Sequence, residues 1–144
     1  MKTYRLSSKE RNNNLRDDPG ALAERIAAEQ YAGYSQLRAS DFDLAKESGA
    51  VGEVKSTATR LENGNKGRFR LWKDQHEQLL QADRDGSARY VFVLFDVSSR
   101  DVTARLKTRE PARIGRQIGA RGGWNQSGHP SGKQNKLPIS AVFE

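Results

Sequence analysis

The chain contains no cysteine, which excludes disulfides and thiolate metal centres. Histidine is almost as scarce. His76 and His129 are the only two, too few for a histidine-rich zinc site. No apolar run approaches the ~20 residues that a membrane-spanning helix needs. The opening stretch, Met1 to Asn14, lacks the apolar segment of a secretory signal. These absences lead to the expectation of a soluble cytoplasmic protein with no membrane partner, associated with the nucleoid if cellular. Acidic residues are also short, 18 Asp and Glu against 25 Lys and Arg, for a net charge of +7. From Ser99 to Glu144, nine Lys/Arg face three Asp/Glu, so 9 − 3 = +6 of the excess lies in the last third. Such a balance attracts polyanions, and nucleic acid is the commonest of these in a cell.

What is present fits one modest core. A chain of 144 residues suits a single domain, since domains commonly hold about 100–150 residues. Residues 1–18 are polar, carry the run Asn12-Asn13-Asn14 and show no apolar period, which predicts a flexible N-terminal arm. The domain is then expected over 19–144. Pro19, behind Asp17 and Asp18 as possible caps, opens a first helix that Gly33 ends. From Gln36 to Thr59 the period changes to two, and two runs around the turn-like Lys46-Glu47-Ser48-Gly49 read as an antiparallel hairpin. A second helix is predicted over Leu71 to Ala82. Arg89 to Val97 is the most apolar run and reads as a central strand buried on both faces. A strand over Val102 to Leu106, a basic helix over Pro111 to Ala120, a loop over Arg121 to Gln134 and an edge strand over Leu137 to Phe143 complete the reading. The fold class is α/β, a mixed central sheet flanked by helices.

The residues with chemistry in them are Asp43 and the segment Gly52-Glu53-Val54-Lys55. Strand side chains alternate faces, so Glu53 and Lys55 share one side while Val54 turns to the core. If the two runs pair, Asp43, Glu53 and Lys55 meet in one polar patch, unless a slipped register puts Asp41 there instead of Asp43. Two adjacent carboxylates repel each other unless a cation lies between them. Mg²⁺ (or Mn²⁺) suits them, because it prefers oxygen ligands and keeps waters for a substrate phosphate. A metal there activates water and polarises a phosphoryl oxygen, and Lys55 orients the water or offsets developing charge. The plainer reading of Glu53 and Lys55 is a surface charge pair worth under ~1 kcal/mol.

Asp43 followed after a gap by Glu53-x-Lys55 resembles the core motif of the PD-(D/E)XK nucleases, which include restriction enzymes, repair nucleases and archaeal Holliday-junction resolvases. Gly20-Ala21-Leu22-Ala23-Glu24-Arg25 is similar to the first-helix motif of the archaeal resolvases, which implies that Glu24 supports the metal site. Family members often place a glutamine on the following helix near the active site, which matches Gln75. The family's proline before the Asp is replaced by Phe42, and the resolvases usually carry an arginine where this chain has Leu22. The resemblance covers about residues 20–97. It implies a restriction-endonuclease-like fold and Mg²⁺-dependent cleavage of DNA. It also implies a place in DNA repair or recombination.

Arg60, Lys66, Arg68 and Arg70 directly follow the Glu53–Lys55 run, where they would meet phosphates near the cut. Arg113, Arg116 and Arg121 extend the basic surface. Trp124, among glycines and beside Arg121, is the candidate for base stacking, while Trp72 reads as core or half-buried. His76 reads as solvent-facing, about 100° around the helix from Gln75. No base-reading motif is visible, so recognition by DNA structure rather than sequence is expected. A homodimer with two symmetric sites would cut both strands. The main rival is a non-catalytic basic nucleic-acid-binding protein that keeps the fold; another is a basic assembly protein that binds RNA.

Overall fold

The computed structural model describes residues 1–37, 42–84 and 86–143. Along the chain run β1 (Lys2–Arg5), a π-helical turn (Glu10–Asn14), α1 (Leu15–Asp17), α2 (Pro19–Gln30), β2 (Ser35–Gln36) and β3 (Leu44–Ala45). Next come β4 (Val51–Ala58), β5 (Arg68–Trp72), α3 (Lys73–Ala82), β6 (Ala88–Asp96) and β7 (Thr103–Arg109). The chain ends with α4 (Pro111–Ala120), β8 (Gln134–Pro138) and a 3-10 turn (Ile139–Ala141). Among the described residues, six strands form one mixed sheet in the order β1-β7-β6-β4-β3-β2, and β5 and β8 form a separate two-stranded ribbon. No helix among the described residues is long and apolar enough to cross a membrane.

The apolar run around Val93 is the middle of the molecule, as its composition predicts. In β6, Tyr90, Phe92 and Leu94 enter one core with Phe69, Leu71, Leu79, Ile114 and Leu137. Val91, Val93 and Phe95 enter the other, with Leu22, Ile26 and Leu44. Helix α2 closes that second face. Asp18 caps it by accepting from the Ala21 N–H at 3.1 Å, and Pro19 sits in its first turn. Its buried stripe is Leu22, Ala23, Ile26 and Ala27. Burying a side chain such as Ile26 contributes about 1.5–3 kcal/mol, so this stripe fixes α2 to the sheet.

Four expectations need correction. Residues 1–18 are not a loose arm: β1 pairs antiparallel with β7, and the Leu6 N–H donates to Val102 at 3.0 Å. Polar contacts replace the missing apolar period there. Glu10, only 6% exposed, accepts from Tyr4 Oη at 2.8 Å, from the Ser7 N–H at 2.8 Å and from Arg25 at 2.9 Å.

The helix expected from Leu71 begins at Lys73, because Leu71 belongs to β5. There Phe69 and Leu71 are fully buried and Arg68 and Arg70 exposed, a period of two over only five residues. The last strand spans Gln134–Pro138 and pairs with β5 instead of edging the main sheet. The hairpin before Glu53 is much shorter than the alternating run suggests, two residues in β3.

Candidate active site

The site is built where β3 meets β4. Leu44 pairs with Gly52 and Ala45 with Val51, so the register carries Asp43 to a place beside Glu53. The contact is direct. Asp43 Oδ2 accepts from the Val54 N–H at 2.8 Å, and the Glu53 carboxyl lies within hydrogen-bonding reach of the Asp43 side chain. From α2, the Glu24 carboxyl reaches the Asp43 side chain in the same way, so Asp43 stands between two other acids. Asp41 lies outside the described residues.

Electrostatics follow from burial. Glu53 is 4% exposed. Desolvation first, and then the hydrogen bond and charge of Asp43, push its carboxyl up to about 9. Burial, followed by the charge of Asp43, raises Glu24 to about 7. Lys55, on the same side of β4 as Glu53, donates Nζ to Gln75 Oε1 on α3 at 2.7 Å. Its ammonium is held below the usual lysine range by desolvation, opposed by the charges of Glu53 and Asp43.

Glu24, Asp43, Glu53, Lys55 and Gln75 therefore meet, drawn from α2, the β3–β4 hairpin and α3. Among the described residues, no three His, Cys, Asp or Glu side chains are already splayed around a metal position. The acids instead lie against one another. Their chemistry fits a hard divalent cation, since all three are oxygen donors and a bound ion would offset the mutual repulsion of their carboxylates.

The basic residues separate into two groups. Arg60, Lys66, Arg68 and Arg70 are exposed around the β4–β5 connection and on β5. Arg113 and Arg116 are carried on α4 and Arg121 caps its end. That helix packs on α3 and β6. The ring of Trp124 lies 5.4 Å from that of His76, and Trp124 packs on the core that holds α3 and α4. Trp72 is half-buried, with the Arg70 guanidinium 5.4 Å over its ring and His129 at 5.2 Å.

His76 corrects the sequence reading. It is 3% exposed, its Nδ1 is 2.8 Å from Tyr90 Oη, and its ring stacks on Tyr90. Desolvation lowers its pKa. Its other nitrogen faces Gly115, where a Cβ would stand 3.0 Å away. The sequence reading also passed over Lys136, which alternation on β8 exposes opposite Arg70. The signal was present in Asn135-Lys136-Leu137, a strand pattern too short to stand out.

Residues 8–144 match the family model of the PD-(D/E)XK nuclease superfamily domain. The chain belongs to the PD-(D/E)XK nuclease superfamily. No curated protein matches it. Membership in this superfamily accounts for the parallel pairing of β4 with β6 beside an acidic cluster and a lysine, and it implies a hydrolase acting on nucleic acid.

Proposed function

We propose that the chain is a divalent-metal-dependent endodeoxyribonuclease, directed by DNA structure rather than by sequence. One observation carries the reading: the Asp43 carboxylate gathers Glu24, Glu53 and the Val54 N–H around itself, with Lys55 fixed alongside by Gln75. A structural charge pair needs neither three acids in contact nor a lysine held by an amide.

Asp43, Glu53 and Glu24 would hold Mg²⁺ or Mn²⁺. When bound, the ion supplies Lewis acidity at the phosphoryl oxygen and acidifies a water. Lys55 contributes a fixed positive charge beside the phosphate, stabilising negative charge that builds as the phosphodiester opens. Gln75 positions that ammonium through its Oε1 and leaves its amide N–H₂ free to donate to a water or phosphate oxygen. Burial of Glu53 excludes bulk water from the metal side, which strengthens each of these interactions.

The narrower reading, a Holliday-junction resolvase, is supported by Glu24 alone. Arg25, its neighbour in the motif, is engaged by Glu10 at 2.9 Å and Glu29 at 3.6 Å. Cutting both strands of a duplex or junction calls for a homodimer or for two successive encounters. The test is a nicking assay on supercoiled, linear and four-way-junction DNA with Mg²⁺, Mn²⁺ or chelator. Wild-type protein should nick only with metal, and Asp43→Asn and Glu53→Gln should each lose at least about 10³-fold in rate. Metal-independent binding without any nicking would leave a non-catalytic DNA-binding protein.

A further inference from the structure

The β5–β8 ribbon has two unlike faces. Phe69, Leu71 and Leu137 point inward and are fully buried. Arg68, Arg70 and Lys136 point outward and are exposed, with Arg70 and Lys136 directly paired across the strands. Together with Lys66, these three line a shallow cleft that no described carboxylate enters. Among the described residues none of the four is ion-paired. A second cleft continues around the corner and adds Arg60.

Four uncompensated cations on one small surface repel one another. A folded protein keeps such a patch at a cost unless a polyanion neutralises it. The shape narrows the choice of polyanion. Two strands lie about 4.8 Å apart, and the ~12 Å major groove of B-form DNA admits a two-stranded ribbon. The deep, narrow major groove of an RNA helix does not. Arg70 is also partly ordered in advance, since its guanidinium rests over the Trp72 ring. Trp72 in turn directly precedes α3, which carries Gln75. A duplex on the ribbon is thus held by an element continuous with the active site.

We propose that the outer face of the β5–β8 ribbon docks in the major groove of duplex DNA, with Lys66, Arg68, Arg70 and Lys136 on the flanking phosphates. This deepens the nuclease reading, on which it rests only for the cleavage that docking leads to. The enzyme then requires a duplex arm beside the cut, and a lone single strand is a poor substrate.

The test measures docking without cutting. Anisotropy of a short labelled duplex is titrated in chelator at several salt concentrations, with wild type, Lys136→Ala and Arg70→Ala/Lys136→Ala. The double variant should bind at least about tenfold more weakly at low salt, and its salt slope should fall by about 2. Lys136→Ala, with no partner to strand, should lower the slope by about 1 and keep the wild-type melting temperature. A duplex whose cytosines carry a bulky C5 sugar, filling the major groove, should bind wild type as weakly as plain duplex binds the double variant. Unchanged affinity in the variants, indifference to the groove-filling sugar, or equal binding of single strands or RNA would each overturn the proposal. Intact duplex docking with no metal-dependent nicking would remove the nuclease reading and leave the ribbon's role standing.

Discussion

Lys55 and Gln75 are joined by a 2.7 Å hydrogen bond that runs from the sheet to α3. The bond fixes Lys55, the cation that the described residues bring to the acidic cluster. Gln75→Ala should lower kcat by about 10²-fold, the scale of a misplacement near 1 Å, with KM little changed. Gln75→Glu adds a charge next to an ammonium and should move the alkaline limb of the pH–rate profile upward. Single-turnover cleavage over a pH series checks both.

Protonation of the cluster makes stability depend on pH. Glu53 keeps its proton up to about 9 in the fold, against 4.5 for the free side chain. The folded protein therefore holds a proton that the unfolded chain releases in that interval. Its stabilising effect is complete below about 4.5 and is lost as pH rises toward about 9. Glu24 acts in the same sense between 4.5 and about 7. Lys55, shifted downward, works in the opposite sense at the alkaline end. Metal-free protein should melt at progressively lower temperature from about pH 5 to about pH 9. Glu53→Gln should flatten that slope and gain about 1–2 kcal/mol at about pH 8.

Divalent metal should reverse the same loss. A cation that binds the folded state alone stabilises it by about 2.7 kcal/mol at a hundredfold excess over Kd. Thermal melts at about pH 8 with and without Mn²⁺ should show this rise in wild type and a much smaller one in Asp43→Asn. Equal shifts in both would place the ion elsewhere.

Gly67 is fixed by close approach rather than by a special dihedral. A Cβ there would lie 2.0 Å from the Ala58 carbonyl oxygen and 2.3 Å from Thr57 Oγ1. Backbone cannot yield as a side chain does, so Gly67→Ala should cost about 2–4 kcal/mol and displace the ribbon from β4. Urea unfolding measures the loss, and weaker duplex binding should accompany it.

The Glu10 cluster gives a control that touches none of the acids directly, reaching α2 only through Arg25. Glu10→Ala leaves Tyr4 Oη, the Ser7 N–H and Arg25 without their shared acceptor. It should cost about 1–3 kcal/mol and expose β1 to faster amide exchange, while kcat stays at the wild-type value.

The sequence made β6, α2, α4 and the spacing of Asp43 to Glu53 legible, because each rests on a long or sharply alternating pattern. Glu24 and Gln75 came from resemblance, and the geometry brings both to the cluster. What stayed hidden depended on partners distant in the chain. Nothing local in Lys2–Arg5 indicates that β7 will receive it. Phe69 and Leu71 reveal their strand only once Asn135 and Leu137 lie opposite. His76 looked solvent-facing because a helical wheel cannot anticipate Tyr90 and the small Gly115 closing over it.

The parallel pairing of β4 with β6 governs the order of assembly. Neighbours in an antiparallel hairpin can zip locally, but these two strands stay apart until the chain from Thr59 to Ser87 has folded back over them. Pairing of that kind is slow to nucleate. The ribbon closes later still, because β5 waits for β8, which is made after every other strand. In chain order, every residue of the carboxyl cluster precedes β8, so the outer face of the ribbon is the later of the two surfaces to be supplied.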